Sequence, residues 1–225
     1  MLSTTTDRKS NFRNSVAKFY GAWTAKKNFA TCMVSRVIGD GQSVVAAHIV
    51  PVSAQRTQLR ACGMDRRDLN STRNGLMLAK NIERAFDALR LSFVPKDPFR
   101  SSSLALKIWD PSLFEEKESV CDASNITIAS CEGSPLMFEG NSLIGEEVPY
   151  DSASMPFRRA LSFQAQHAFA HAQAMGWVSR DEEFHPFGTP TKTNKFATIF
   201  EVPLESLASS SASSSSSSTT NEHER

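Results

Sequence analysis

The chain has 225 residues and a net charge of +1, with 40% hydrophobic and 22% charged residues. This is the composition of an ordinary soluble globule, one domain or one domain with an appendage. No apolar run approaches the roughly 20 residues of a membrane helix, and the four scattered cysteines (Cys32, Cys62, Cys121, Cys131) form no CxxC pair, so a spanning protein and a disulfide scaffold are excluded. Cysteine usage and the lack of a secretory apolar stretch favour a reducing, intracellular setting, cytoplasmic or nuclear.

The near-zero charge hides an asymmetry. Residues 1–95 carry 15 Lys/Arg against 6 Asp/Glu, a net of +9; residues 96–225 carry 10 against 18, a net of −8. A basic half of this kind suits a polyanionic partner, whereas the bland alternative is that the two halves attract each other.

Phe12, Val16, Phe19, Tyr20 and Trp23 fall at helical spacing, which predicts an N-terminal helix within residues 1–29. A mitochondrial transit peptide would share the Ser, Thr, Arg and Lys content, but the aromatic stripe favours packing onto a core. Residues 31–37 and 43–50 read as two strands around the turn signal Gly39-Asp40-Gly41, together a hairpin that Pro51 ends. Residues 53–73 are polar and basic, without an apolar period that would place an element. Residues 74–79 are a turn and a short apolar run.

Ile82, Ala85, Phe86 and Leu89 stand at i, i+3, i+4 and i+7, which predicts a helix over 79–89. Residues 91–94 and 104–109 read as strands, as do parts of 120–148. A long helix is expected over 155–176, with Pro156 in its first turn and Gly176 at its end. Beyond about 206 the chain is Ser-rich and should be a disordered tail, 206–225. The fold class is α+β.

Three polar landmarks lie in order: Ala46-Ala47-His48-Ile49-Val50-Pro51, Arg73-Asn74-Gly75-Leu76-Met77-Leu78, and Asn81-Ile82-Glu83-Arg84-Ala85-Phe86-Asp87. Hydrolysis of a phosphodiester needs an activated water, a cation on the phosphate and positive charge along the backbone. His48, the only histidine in the first 166 residues, stands near a strand end and can act as a base at neutral pH. A lone strand histidine is more often a core residue bonded to a carbonyl; the landmarks downstream tip the balance the other way. Glu83 and Asp87 are i, i+4 on the predicted helix, about 5–6 Å apart at Cβ. Such a pair suits a hard cation with oxygen ligands, Mg²⁺ or Mn²⁺, better than Zn²⁺. The alternative is a solvated face neutralised by Lys80, Arg84 and Arg90. Arg56, Arg60, Arg66, Arg67 and Arg73 outnumber Asp65 and Asp68 between these landmarks, as a nucleic-acid contact would require.

The series resembles the HNH endonucleases of the ββα-metal, or His-Me finger, superfamily, and in particular a subfamily common in fungi and oomycetes. The likeness covers about residues 30–95, within a nuclease core expected over 30–100, with 101–205 as an α+β extension of one larger domain. It implies a metal-dependent nuclease, a hydrolase of DNA phosphodiester bonds and of duplex more than RNA, with one divalent ion. It implies that His48 activates water, that Asn74 holds the turn and helps fix the histidine, and that Glu83 with Asp87 binds the metal. Two positions depart from the pattern: the usual metal-binding histidine is replaced by Glu83, and the Asp that often precedes the base is Ala47. A catalytically degenerate HNH-like DNA-binding module is therefore the rival reading. It includes effectors of the Crinkler type, whose N-terminal translocation motif is not in this chain. A protein-interaction scaffold using the acidic half is a further alternative.

His167 and His171 are also i, i+4 and could share a metal, but no Glu follows to complete HExxH, and the region reads as a packing element. Arg158 and Arg159 at the start of the same helix oppose its dipole and hint at an acidic or phosphate partner. Cys32 reads as a small core residue. Nothing in the sequence specifies the oligomeric state.

Overall fold

The computed structural model describes residues 5–25, 28–96, 103–122, 124–137 and 155–184, with side chains from residue 11 onward. All of them fall in one compact unit, Met1–Thr189. The expected Ser-rich tail, and strands expected within 138–148, lie outside the described residues. The architecture is α+β: helices and small antiparallel strand pairs. Among the described residues no helix is long and apolar enough to cross a membrane.

Helix α1 (Thr5–Phe19) buries Val16 and Ala17 and ends earlier than its aromatic stripe suggested. Gly21, at φ +61°, turns the chain, so Trp23 leaves the helix and forms a bridge with Ala30. The expected strand over 31–37 is interrupted. Only β1 (Ala30–Thr31) and β2 (Ile38–Gly39) pair, because the chain turns back through Met33–Ser35 and Arg36 at φ +62°. Met33 and Cys32 serve the interior instead: the Met77 N–H reaches the Met33 sulfur and the Ala79 N–H the Cys32 sulfur, both at 3.2 Å.

Strand β3 (Val44–His48) therefore pairs not with 31–37 but with β4 (Gly75–Ala79), in the register Val44↔Ala79, Ala46↔Met77 and His48↔Gly75. Every residue of β4 is buried, and Leu76, Met77, Leu78 and Ala79 have no exposed surface. Side chains of Leu or Met size contribute roughly 1.5–3 kcal/mol each when buried in this way. Helix α2 (Arg56–Ala61) lies within the loop between β3 and β4.

Helix α3 (Lys80–Asp87) follows β4 without a break and buries Ile82, Ala85 and Phe86, the stripe expected of it. Leu89, the fourth member, falls past the helix end at φ +60°. Strands β5 (Leu91–Pro95) and β6 (Leu104–Ile108) pair antiparallel, and the short helix α4 (Ser112–Glu115) follows. The long helix α5 (Arg158–Met175) packs beside β5 and buries Ala160, Leu161, Ala165 and Ala168, the last in a cluster with Trp109; the Gln164 amide donates to the Leu91 carbonyl at 3.2 Å. Its cap is Phe157, so Pro156 precedes the first turn, and Gly176 at φ +74° closes it.

Candidate active site

His48 is the last residue of β3, and the chain just beyond it is bolted to the end of the long loop. The Asn74 side chain, with no exposed surface, accepts from Val50 N–H at 2.9 Å and donates to the Val50 and Leu69 carbonyls at 3.0 Å each. The Ile49 N–H adds a bond to the Asn74 carbonyl at 2.9 Å. The Asn74 amide thus spends both its donors and one acceptor on backbone, and a buried amide left unmatched here would cost roughly 1–3 kcal/mol per orphaned group.

The His48 ring lies flat against Phe12 of α1, with centroids 4.0 Å apart and planes 3° from parallel. Its Nε2 is enclosed and meets no hydrogen-bond partner among the described residues. Burial holds its pKa below the ordinary value near 6.5, which keeps the ring neutral around pH 7. A structural core histidine would be expected to bond a carbonyl, and no described carbonyl meets this nitrogen. Ala47, buried on the opposite face of the strand, offers no ligand.

Glu83 and Asp87 extend from α3 as the i, i+4 pair. Lys80 reaches Glu83 at 3.2 Å, but the other two cations go elsewhere: Arg84 points to Asn81, and Arg90 to Asp110, Ser112 and Glu116. Crowding of protein around the carboxyl, followed by the Glu83 charge, pushes Asp87 up to about 6 against the pull of Lys80. Asp87 keeps an open surface, so the Glu83 charge is the firmer of the two causes. Among the described residues no three His, Cys, Asp or Glu side chains group closely enough to hold a metal. His48, Glu83 and Asp87 therefore do not make one ligand cluster. The histidine ends the strand pair at Gly75, whereas α3 starts from the Val44–Ala79 end.

Arg56, Arg60, Arg66 and Arg67 are all exposed. The acids of this loop are spent on its shape: Asp68 accepts from Asp65 N–H at 2.8 Å, and Asp65 from Arg67 N–H at 2.6 Å while pairing with the exposed Arg67 guanidinium at 3.5 Å. Arg73 differs. Its Nε donates to the Met155 carbonyl at 2.8 Å and its guanidinium lies 4.7 Å from the Phe157 ring centroid, which anchors the chain leading into α5. Across that anchor the exposed Arg159 joins the basic loop: a Cβ on Gly63 would lie only 2.1 Å from its Nη1. The sequence placed Arg159 at a helix start but gave no sign that it meets a loop 96 positions earlier.

The remaining candidates separate. His167 Nδ1 bonds to the Phe163 carbonyl at 2.9 Å, whereas His171 sits edge-on to Trp177, so the two rings serve different neighbours. All four cysteines are buried and free, and burial pushes the Cys62 and Cys131 thiols up to about 12 and about 11, far from a thiolate nucleophile.

The segment that carries β3, the basic loop, β4, α3 and most of β5 has a known counterpart. Residues 32–94 match the HNH endonuclease family model. The matched segment is under a third of the chain and speaks for a nuclease-type domain within it; it does not reach the level of subfamily or effector class. Neither a curated protein nor a solved structure matches the chain. HNH domains generally act on nucleic acid with one divalent ion, and α1 and α5 lie outside the matched residues.

Proposed function

We propose that the chain is a metal-dependent HNH-type endonuclease that hydrolyses DNA phosphodiester bonds, with β3, β4 and α3 as its ββα-metal motif. The observation that carries this reading is the His48 ring: neutral, held at a strand end, and with an enclosed nitrogen that nothing described satisfies. His48 would accept the proton of the attacking water, a role worth roughly 10²–10⁴-fold in rate. Asn74 acts on the ring through the backbone, by fixing Ile49 and Val50 directly after it.

The donor chemistry of α3 fits a hard divalent cation. Two carboxylates crowd each other, only one of them has an ion pair among the described residues, and Mg²⁺ is commonly held by one or two carboxylates with water and phosphate completing its shell. Glu83 and Asp87, on the helix that leaves the other end of the strand pair from His48, would hold one Mg²⁺ or Mn²⁺, which would supply charge stabilisation to a phosphate and a leaving 3′-oxygen. Arg56, Arg60, Arg66 and Arg67, with Arg159, supply the outward charge for a duplex backbone.

Ala47 in place of an acid, and the hold of Lys80 on Glu83, favour a second reading, an HNH-like module that binds DNA without cutting it. Plasmid nicking with Mg²⁺ or Mn²⁺ separates the two. The nuclease reading expects nicking that falls by roughly 10²-fold or more in His48→Ala with DNA retardation kept. Retardation without nicking by the wild type, or equal nicking by His48→Ala, would overturn it.

A further inference from the structure

We propose that α1 is a working part of the candidate active site, with Phe12 as the positioning residue that seats the His48 ring; this rests on the nuclease reading given above. Rotation of an imidazole about its outer bond is soft, so a strand-end histidine needs something besides its own backbone to fix its plane. Phe12 provides a flat surface 4.0 Å away and 3° from parallel.

The opposing strand is shaped for that contact. Gly75 is extended, at φ −127° and ψ 152°, and needs no glycine for its backbone conformation. Its lack of a side chain is what matters, because a Cβ there would stand 2.6 Å from Val16 Cγ2 and 2.9 Å from Phe12 Cζ. Residue 75 pairs directly with His48, so the clearance lies on the face where the two rings meet. The neighbouring cations are committed elsewhere: Arg13 of α1 donates to the Val44 and Asn28 carbonyls, and Arg73 to Met155. What Phe12 gives the ring is therefore orientation and shelter rather than charge. Phe12 also lies before the family-matched segment, so a domain trimmed to residues 32–94 would lack it.

The test uses the full chain without substrate. The imidazole titration of His48 is followed by NMR, with its signal assigned by loss in His48→Gln. Phe12→Leu should raise the His48 midpoint toward 6.5, and Phe12→Tyr, which keeps the flat ring, should restore the wild-type midpoint. Val16→Ala removes packing from the same helix and should lower the melting temperature without moving the midpoint. If Phe12→Leu does not fold, Gly75→Ala reads the same displacement from the opposite strand. A midpoint unchanged in Phe12→Leu or Gly75→Ala, or moved equally by Val16→Ala, overturns the proposal. In cleavage assays Phe12→Leu should lower kcat, by up to roughly a hundredfold, with KM little changed. Absence of any cleavage by the wild type counts against the nuclease reading alone, because the titration reads the seating of the ring directly.

Discussion

The two ends of the HNH-matched segment are built on opposite plans. At the β3 end, His48 is framed by Phe12 and by an asparagine whose amide is spent on three backbone groups. At the α3 end, Glu83 and Asp87 repel each other; among the described residues Lys80 alone forms an ion pair with one of them and no third ligand gathers beside them. The backbone beyond the His48 ring is bonded through Asn74, and the ring plane is set by its stack on Phe12. Under the proposed function, a carboxylate pair of this kind can stay electrostatically frustrated in the free chain, because water and phosphate would supply much of the shell of an Mg²⁺-like ion.

The contrast is most exposed to failure at Asn74. Asn74→Ala orphans the Val50 N–H and the Val50 and Leu69 carbonyls in a buried place, and should cost roughly 3 kcal/mol or more of unfolding free energy. Denaturant titration reads this directly. A loss of only a few tenths of a kcal/mol would mean that the strand end is not locked by this residue, and the rigid half of the comparison would fall.

Asp87 tests the other half with a smaller effect of opposite sign. Crowding of protein and the Glu83 charge push its carboxyl up from 3.8 to about 6, so protonation favours folding. That contribution is full below 3.8 and is lost as the pH rises through about 6. Without divalent ions, Asp87→Asn should therefore raise the melting temperature slightly near neutral pH. Added Mg²⁺ or Mn²⁺ should stabilise the wild type more than Asp87→Asn or Glu83→Gln, since only an ion that binds the folded state shifts its melting. Equal stabilisation of all three would remove Glu83 and Asp87 from any metal site.

What the sequence disclosed follows the same divide between local and distant causes. The Ile82, Ala85 and Phe86 stripe gave away α3 because its members lie within one helical turn of each other, and the order of the short motifs around His48, Asn74 and Glu83 pointed to the segment that matches the HNH family because each motif is itself local. Helix α2 was invisible: six residues with one buried side chain, Leu59, carry no period. Residues 31–37 looked like a strand by composition, yet their sulfur atoms turn inward to β4, a contact 44 to 47 positions away. Gly75 read as half of a turn pair; its actual task, clearing room for Phe12 and Val16, depends on a helix about 60 residues earlier. No local pattern encodes such a contact.

The finest distinction concerns the arginines, which the sequence grouped as one set and the fold divides. Arg60 and Arg159 face outward, whereas Arg73 is bonded to Met155 and lies against Phe157. If outward charge meets phosphate, Arg60→Ala and Arg159→Ala should each reduce the log–log salt slope of duplex binding by about 0.9 with the fold unchanged. Arg73→Ala should instead lower the melting temperature, because a buried carbonyl loses its donor, and leave the slope nearly as it was. Filter binding across a salt series, beside melting curves for the same variants, reads both axes. A slope change in Arg73→Ala as large as in Arg60→Ala would mean that the anchor of α5 is itself part of the nucleic-acid surface, which would bring the duplex closer to the loop end where Asn74 holds the strand of the base.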